Sequence, residues 1–119
     1  MSISAVKPVT RDAEGTPGTI RAEKLVNGSS ETRSWDAFSD KSEQFHVGHW
    51  GSGPCVIDVS YTENELCVLV QGRAKITDTD GASLEFGTGE AFVIEAGFKG
   101  TWESIGDVVK IYAIFEDNQ

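Results

Sequence analysis

Alternation with a period of two constrains this chain more than any other feature. Over residues 54–61, Cys55, Ile57, Val59 and Tyr61 fall on one face of an extended segment, and Val56, Asp58 and Ser60 fall on the other. β-Branched residues at this period read as a half-buried strand. The pattern continues from residue 43 to the end of the chain. A short strand is expected over 44–50, and residues 73–77 alternate again. Residues 65–70 are apolar on both faces after an acidic start, which predicts a strand buried on both sides. Asp80-Gly81 marks a hairpin turn. Strands over 84–86 and 91–94 are separated by Gly87 and Gly89, and strands over 101–104 and 108–115 complete the pattern. Thirteen glycines against three prolines suit tight turns rather than long helices. Many short strands with turn residues between them predict an all-β sandwich or small barrel.

The first third reads differently. Residues 1–34 form an expected N-terminal arm that wraps a partner subunit or stays mobile. Gly15, Pro17, Gly18, Gly28, Ser29 and Ser30 punctuate it, and Ile20, Leu25 and Val26 suit a short edge segment. Residues 35–38 read as an amphipathic helical turn begun by Ser34. Residues 35–119 then make a single domain, as a chain of 119 residues allows.

Charge and cysteine content narrow the function classes. Ten Lys and Arg stand against nineteen Asp and Glu, a formal charge of −9. That balance argues against nucleic acid and against an anionic membrane surface as partners. No run approaches the ~18 apolar residues of a membrane span, and residues 1–19 carry no secretory h-region. Cys55 and Cys67 suit a reduced, cytoplasmic chain better than a disulfide scaffold.

Two segments carry the spacing of paired cupin motifs. In the frame G-x5-H-x-H-x3-E-x6-G, the positions fall on Gly53, Val59, Tyr61, Glu65 and Gly72. In the frame G-x5-P-x-G-x2-H-x3-N, they fall on Gly89, Glu95, Gly97, Gly100 and Ser104. The glycines and the glutamate match; the histidines, proline and asparagine do not. The wording of residues 61–67 and 96–103 resembles the small cupins grouped with ureidoglycine aminohydrolase and the ethanolamine-utilisation cupins. This resemblance covers roughly residues 35–115. It implies a cupin jelly-roll β-barrel (a double-stranded β-helix), usually a homodimer.

The resemblance also implies what is missing. The family's metal is held by three His and one Glu, and those positions are Val59, Tyr61, Gly100 and Glu65 here. One carboxylate and one phenol do not replace three imidazoles. Neither the standard metal nor any other cofactor is expected, and the family's metal-dependent activities do not carry over.

Strand alternation then aims side chains at a candidate interior. If Glu65 points inward, Tyr61, Glu63 and Cys67 share its face, and loss of an imidazole at Gly100 leaves room for Trp102. Glu65 is either a desolvated acid/base catalyst or a group that bonds Tyr61 or Lys110 and holds the barrel together. Tyr61 either stabilises ligand oxygen or is an ordinary core tyrosine. Trp50, Lys99, Lys110 and Tyr112 complete the candidate ligand contacts, as wall or rim groups. Lys110 lies mid-strand among apolar residues and needs an acidic partner, Glu65 or Glu63. Cys67 has acidic neighbours, which disfavour a thiolate. His46 and His49 are three apart, so on a strand they face opposite ways and read as ordinary strand residues.

Three functions follow as expectations. The first is a barrel that binds a small polar metabolite, cationic or hydroxyl-rich, without the standard metal. The second is a metal-independent isomerase, epimerase or lyase using Glu65 or Tyr61 for proton transfer. The third is a structural or regulatory homodimer with a vestigial pocket. Apolar Leu66, Val68 and Val70, facing away from the interior, favour a homodimer in each case.

Overall fold

The computed structural model describes residues 1–117. After a short 3-10 turn at Ile3–Ala5, the described residues form nine strands. These are β1 (Thr16–Thr19), β2 (Leu25–Gly28), β3 (Glu31–Ser39), β4 (Phe45–Ser52), β5 (Cys55–Ser60), β6 (Asn64–Asp78), β7 (Ser83–Phe86), β8 (Ala91–Ile94) and β9 (Lys99–Phe115). All pairings are antiparallel, and they curl into a jelly-roll β-barrel. No helix among the described residues is long and apolar enough to cross a membrane.

β6 and β9 organise the barrel. The first half of β9 lies between β5 and the second half of β6; its second half lies between β4 and the first half of β6. The sequence suggested two short strands in each place. Each pair is instead one strand, of 15 residues in β6 and 17 in β9. Both bend at the same level. Gly72 has φ +83 and Gly106 has φ +77, in a region that side-chain-bearing residues rarely adopt. A Cβ on Gly72 would stand 2.3 Å from the carbonyl oxygen of Asp107. The bend lets each strand serve both walls of the barrel, and the register slips on either side of Gln71 accommodate it.

The N-terminal third joins the sheet. β1 pairs with β3, β2 pairs with β5, and the expected boundary at residue 34 falls inside β3. The helical turn expected over 35–38 is also strand. Its helical look has a specific cause. β3 pairs with β4 through a bulge between Asp36 and Phe38, so Trp35 opposite His49 and Phe38 opposite Val47 lie three apart yet on one face. A bulge of one residue imitates helical spacing.

The core lies between the walls. Cys67, Leu69, Ala74, Ile76, Ile94, Trp102 and Val108 form its buried cluster, and Phe86 stacks on Phe92 at 4.1 Å beside it. Cys55 and Cys67 are buried and free. The expectation that residues 65–70 are covered on both sides does not hold within one chain. Glu65, Cys67 and Leu69 are buried, but Leu66 is 41% exposed. Leu66 belongs to a row across the outside of the barrel. Val93, Leu66, Ala113, Val47 and Phe38 stand side by side on β8, β6, β9, β4 and β3.

Candidate functional site

A cavity of about 550 Å³ opens between β5 and the wall formed by β3, β4 and β9. Ion-paired residues form its base. Lys110 Nζ donates to Glu65 Oε2 at 2.6 Å, with both side chains almost fully buried. This settles which carboxylate partners the mid-strand lysine. Glu65 on β6 and Lys110 on β9 are brought together because Glu65 pairs with Ile114 and Leu69 pairs with Lys110 across the same ladder.

Aromatic rings enclose the ammonium. Nζ lies 4.3 Å from the Trp102 ring centroid and 5.2 Å from that of Trp50. Both separations are within cation–π range. The two indoles meet edge to face at 89° and so form a corner around the charge. Trp102 is anchored from behind. Its Nε1 donates to Ser104 Oγ at 2.9 Å, and Ser52 Oγ donates to the same oxygen at 2.7 Å.

Electrostatics keep the protons in place. Burial opposes the charge on Lys110, but Cys67, the Glu65 carboxylate that accepts its hydrogen bond, and Tyr61 together outweigh burial and hold the ammonium above its ordinary range. Burial pushes the Cys67 thiol up to about 12. Cys67 Sγ donates to Glu65 Oε2 at 3.4 Å, so it supports the carboxylate as a neutral thiol. Burial also raises Tyr61, so its hydroxyl keeps its proton.

Two polar atoms at the base face the cavity without a protein partner among the described residues. Glu65 Oε2 accepts from Lys110 and Cys67, whereas Oε1 accepts nothing, and the Tyr61 hydroxyl makes no hydrogen bond. Neither is sealed from solvent, since the only such buried orphan among the described residues is His49 Nδ1. Both residues line the cavity. They present one acceptor and one donor–acceptor to an incoming group.

The mouth is supplied mainly by residues that the sequence did not single out as ligand contacts. Ser34, Asp36 and Ser39 reach it from β3, and His46 reaches it from β4. Tyr112 OH donates to Asp36 Oδ1 at 2.9 Å; burial and that bond push the phenol up to about 12. His46 Nε2 lies 2.9 Å from the Glu43 carbonyl oxygen, which only accepts. Nε2 therefore carries a proton, and in the neutral ring Nδ1 takes the Ser39 hydroxyl proton at 2.7 Å. The signal for Asp36 was its alternation with Trp35, hidden by the helical reading. His49 points the other way and is buried on the outer face.

Trp50, Tyr61, Glu65, Trp102, Lys110 and Tyr112 thus line one cavity, with Ile57, Val59 and Ile114 as its apolar wall. Three other candidates lie elsewhere. Cys67 has no exposed surface and sits beneath the ion pair, where a ligand cannot touch it. Glu63 is in the β5–β6 turn, where its Oε2 accepts from Thr62 Oγ1 at 3.1 Å. Lys99 lines a separate depression with Lys24 and Asp58, because strand parity turns it away from the interior.

The residues present do not fit the metal that the cupin frame implies. Val59 offers no donor atom. A Cβ on Gly100 would stand 2.0 Å from the Thr77 carbonyl oxygen, so the backbone of β6 has closed over the position. The space expected there for Trp102 does not exist. Among the described residues no group of three or more His, Cys, Asp and Glu is placed to hold a metal ion. The surviving glutamate is engaged by an ammonium.

Comparison with known proteins agrees with this architecture. The family model of the EutQ-like cupin domain matches residues 39–112. A crystal structure of a DUF861-family protein of unknown function from Pseudomonas syringae is 28% identical with a TM-score of 0.80, over 89% of this chain and 46% of that one. The chain thus spans under half the length of that protein. Clostridium difficile EutQ superposes at a TM-score of 0.65 with 19% identity, over 73% of this chain and 64% of that one. A putative ethanolamine utilization protein Q from Salmonella typhimurium superposes at 0.66 with 13% identity, over 87% and 98%. At those identities the last two speak for the fold alone. No curated protein matches. With the family model spanning most of the barrel, from the end of β3 to Tyr112 on β9, this chain belongs to the EutQ-like cupin family.

Proposed function

We propose that this cupin binds a small polar metabolite in its barrel without the standard metal. The observation that carries the reading is the pair of open polar atoms at the cavity base. Glu65 Oε1 and the Tyr61 hydroxyl have no protein partner among the described residues, yet they face a space of about 550 Å³. Polar groups recessed in an apolar cavity and unpaired by the protein are free to meet a ligand or water there. Apolar walls with a few convergent polar groups are the usual make-up of a ligand site. The open cavity gives no support to a vestigial pocket packed shut by Trp102. We place the protein in the cytoplasm as a homodimer, on its cysteine use and its apolar outer row.

Native mass spectrometry of freshly purified protein tests the reading. The expected result is a small non-covalent adduct on the wild type, reduced at least tenfold in occupancy by Tyr61→Phe and by Glu65→Gln. An adduct retained equally by both variants would remove these residues from the site.

A second reading has one observation in its favour. A carboxylate oxygen and a phenol that keeps its proton face the same space, as proton transfer in a metal-independent isomerase, epimerase or lyase requires. Recovering the ligand after incubation in D2O distinguishes the two. Carbon-bound deuterium supports catalysis, and its absence leaves binding alone.

A further inference from the structure

The surviving cupin glutamate already has a cation beside it, and that cation belongs to the protein. Lys110 Nζ sits 2.6 Å from Glu65 Oε2, in the corner made by Trp50 and Trp102. A carboxylate with two perpendicular indoles is the chemistry that recognises an ammonium ion. Here it is filled from within, and the filling is built: both side chains of the pair are almost fully buried.

We propose that Lys110 is the resident cation of this barrel, occupying the cage that would otherwise take a ligand amine. The base of the cavity is thereby selective for an uncharged, oxygen-bearing group of the ligand. This rests on the binding reading above and names its ligand class. The charge arithmetic supports it. A divalent ion beside one carboxylate leaves net positive charge for an anion, whereas Lys110 beside Glu65 leaves none. The donor arithmetic agrees. An ammonium has three N–H groups. Glu65 Oε2 takes one and Cys67 Sγ at 3.7 Å is a weak acceptor for a second. One N–H remains that no oxygen among the described residues accepts, on a residue that lines the cavity. The complementary group accepts from Lys110 or Tyr61 and donates to Glu65 Oε1. A hydroxyl beside a second hydroxyl or a carbonyl does this; a quaternary amine or a carboxylate does not.

The cage can be tested without knowing the ligand, by emptying it. Lys110→Ala removes the ammonium and its stem and leaves the carboxylate and both indoles. Thermal unfolding is then followed with n-butylammonium, with n-butanol as the uncharged control and Ni2+ or Zn2+ as the metal probe. The expected result is that n-butylammonium raises the melting temperature of Lys110→Ala by at least about 4 °C. Butanol should not do so, and neither amine nor metal should stabilise the wild type. No amine effect on the variant, or an equal effect on the wild type, overturns the proposal. Stoichiometric metal on the wild type overturns it too.

Lys110→Met carries the test if the alanine variant does not fold, because it keeps the stem's volume without its charge. Glu65 is then a buried carboxylate with no cation, and burial favours its neutral form. The melting temperature of this variant should fall as pH rises from 5 to 8, where the wild type shows no such loss. A flat profile overturns the proposal. The two inferences fail separately. Amine rescue with no retained ligand leaves the cage and removes the binding reading. A retained ligand without amine rescue does the reverse.

Discussion

Lys110 and Glu65, 45 residues apart in sequence, form a 2.6 Å ion pair in the interior of the barrel. Removing charges from water is expensive, and mutual attraction offsets the cost only when both partners are present. Glu65→Ala should therefore destabilise the protein by about 3–5 kcal/mol, by leaving the Lys110 ammonium unpaired. The double variant Glu65→Leu with Lys110→Met should recover most of that loss. Urea denaturation of the two singles and the double, read as a cycle, measures the coupling. Additive losses would show that the pair is not energetically linked.

Stability should decline on both sides of neutrality. Cys67, Lys110, Tyr61 and Tyr112 all hold their protons more tightly when folded than when unfolded. Their contribution is present below the unfolded values and is lost as pH rises, from the ordinary thiol value of 9.0 through the folded value of about 12 for Cys67. His49 has the opposite sense. Burial, aided by Arg11, lowers its value from 6.5, so the unfolded chain takes a proton that the folded chain refuses. Stability falls as pH drops through that range. Melting temperatures should peak between about pH 6.5 and 9, and His49→Leu should flatten only the acidic slope. A melting temperature that rises from pH 9 to 11 would contradict the alkaline assignment.

Restoring histidines at the cupin metal positions should not restore a metal. The Thr77 carbonyl occupies the space of any side chain at Gly100. Gly100→Ala alone should cost about 1–3 kcal/mol through overpacking. The triple variant Val59→His, Tyr61→His and Gly100→His should bind no Mn2+ or Ni2+ by calorimetry. Micromolar binding would show that β6 yields at this point.

The outer row predicts self-association. Val93, Leu66 and Phe38 are 61%, 41% and 37% exposed, and neither they nor the Ala113 and Val47 between them carry charge. Contiguous apolar surface of this kind marks an interface. Sedimentation should give a dimer for the wild type at micromolar concentration and a monomer for Leu66→Glu. A monomeric wild type would leave the row without that role.

The strands could be read locally because side-chain alternation is a property of neighbouring residues. The strand from Cys55 follows from it, as does the shared face of Glu65 and Cys67, and the Asp80-Gly81 turn follows from local turn chemistry. Bulges and bends broke the reading where they interrupt the period. Ala37 disguised β3 as a helical turn, which concealed Asp36. The bend at Gly72 and Gly106 made two long strands look like four. Glu63 and Lys99 were left open between a ligand contact and a solvated turn or loop position, because parity does not carry through turns, and the structure puts both outside the cavity.

By itself, then, the sequence determined an all-β chain, its turn positions and the loss of the histidine set, since these depend on residue type and local spacing. Only the tertiary structure decided that Lys110 neutralises Glu65, that two indoles box the charge, and that Asp36 and His46 line the cavity. Those are pairings between distant strands, and their register is set by packing across the whole barrel rather than by any segment of it.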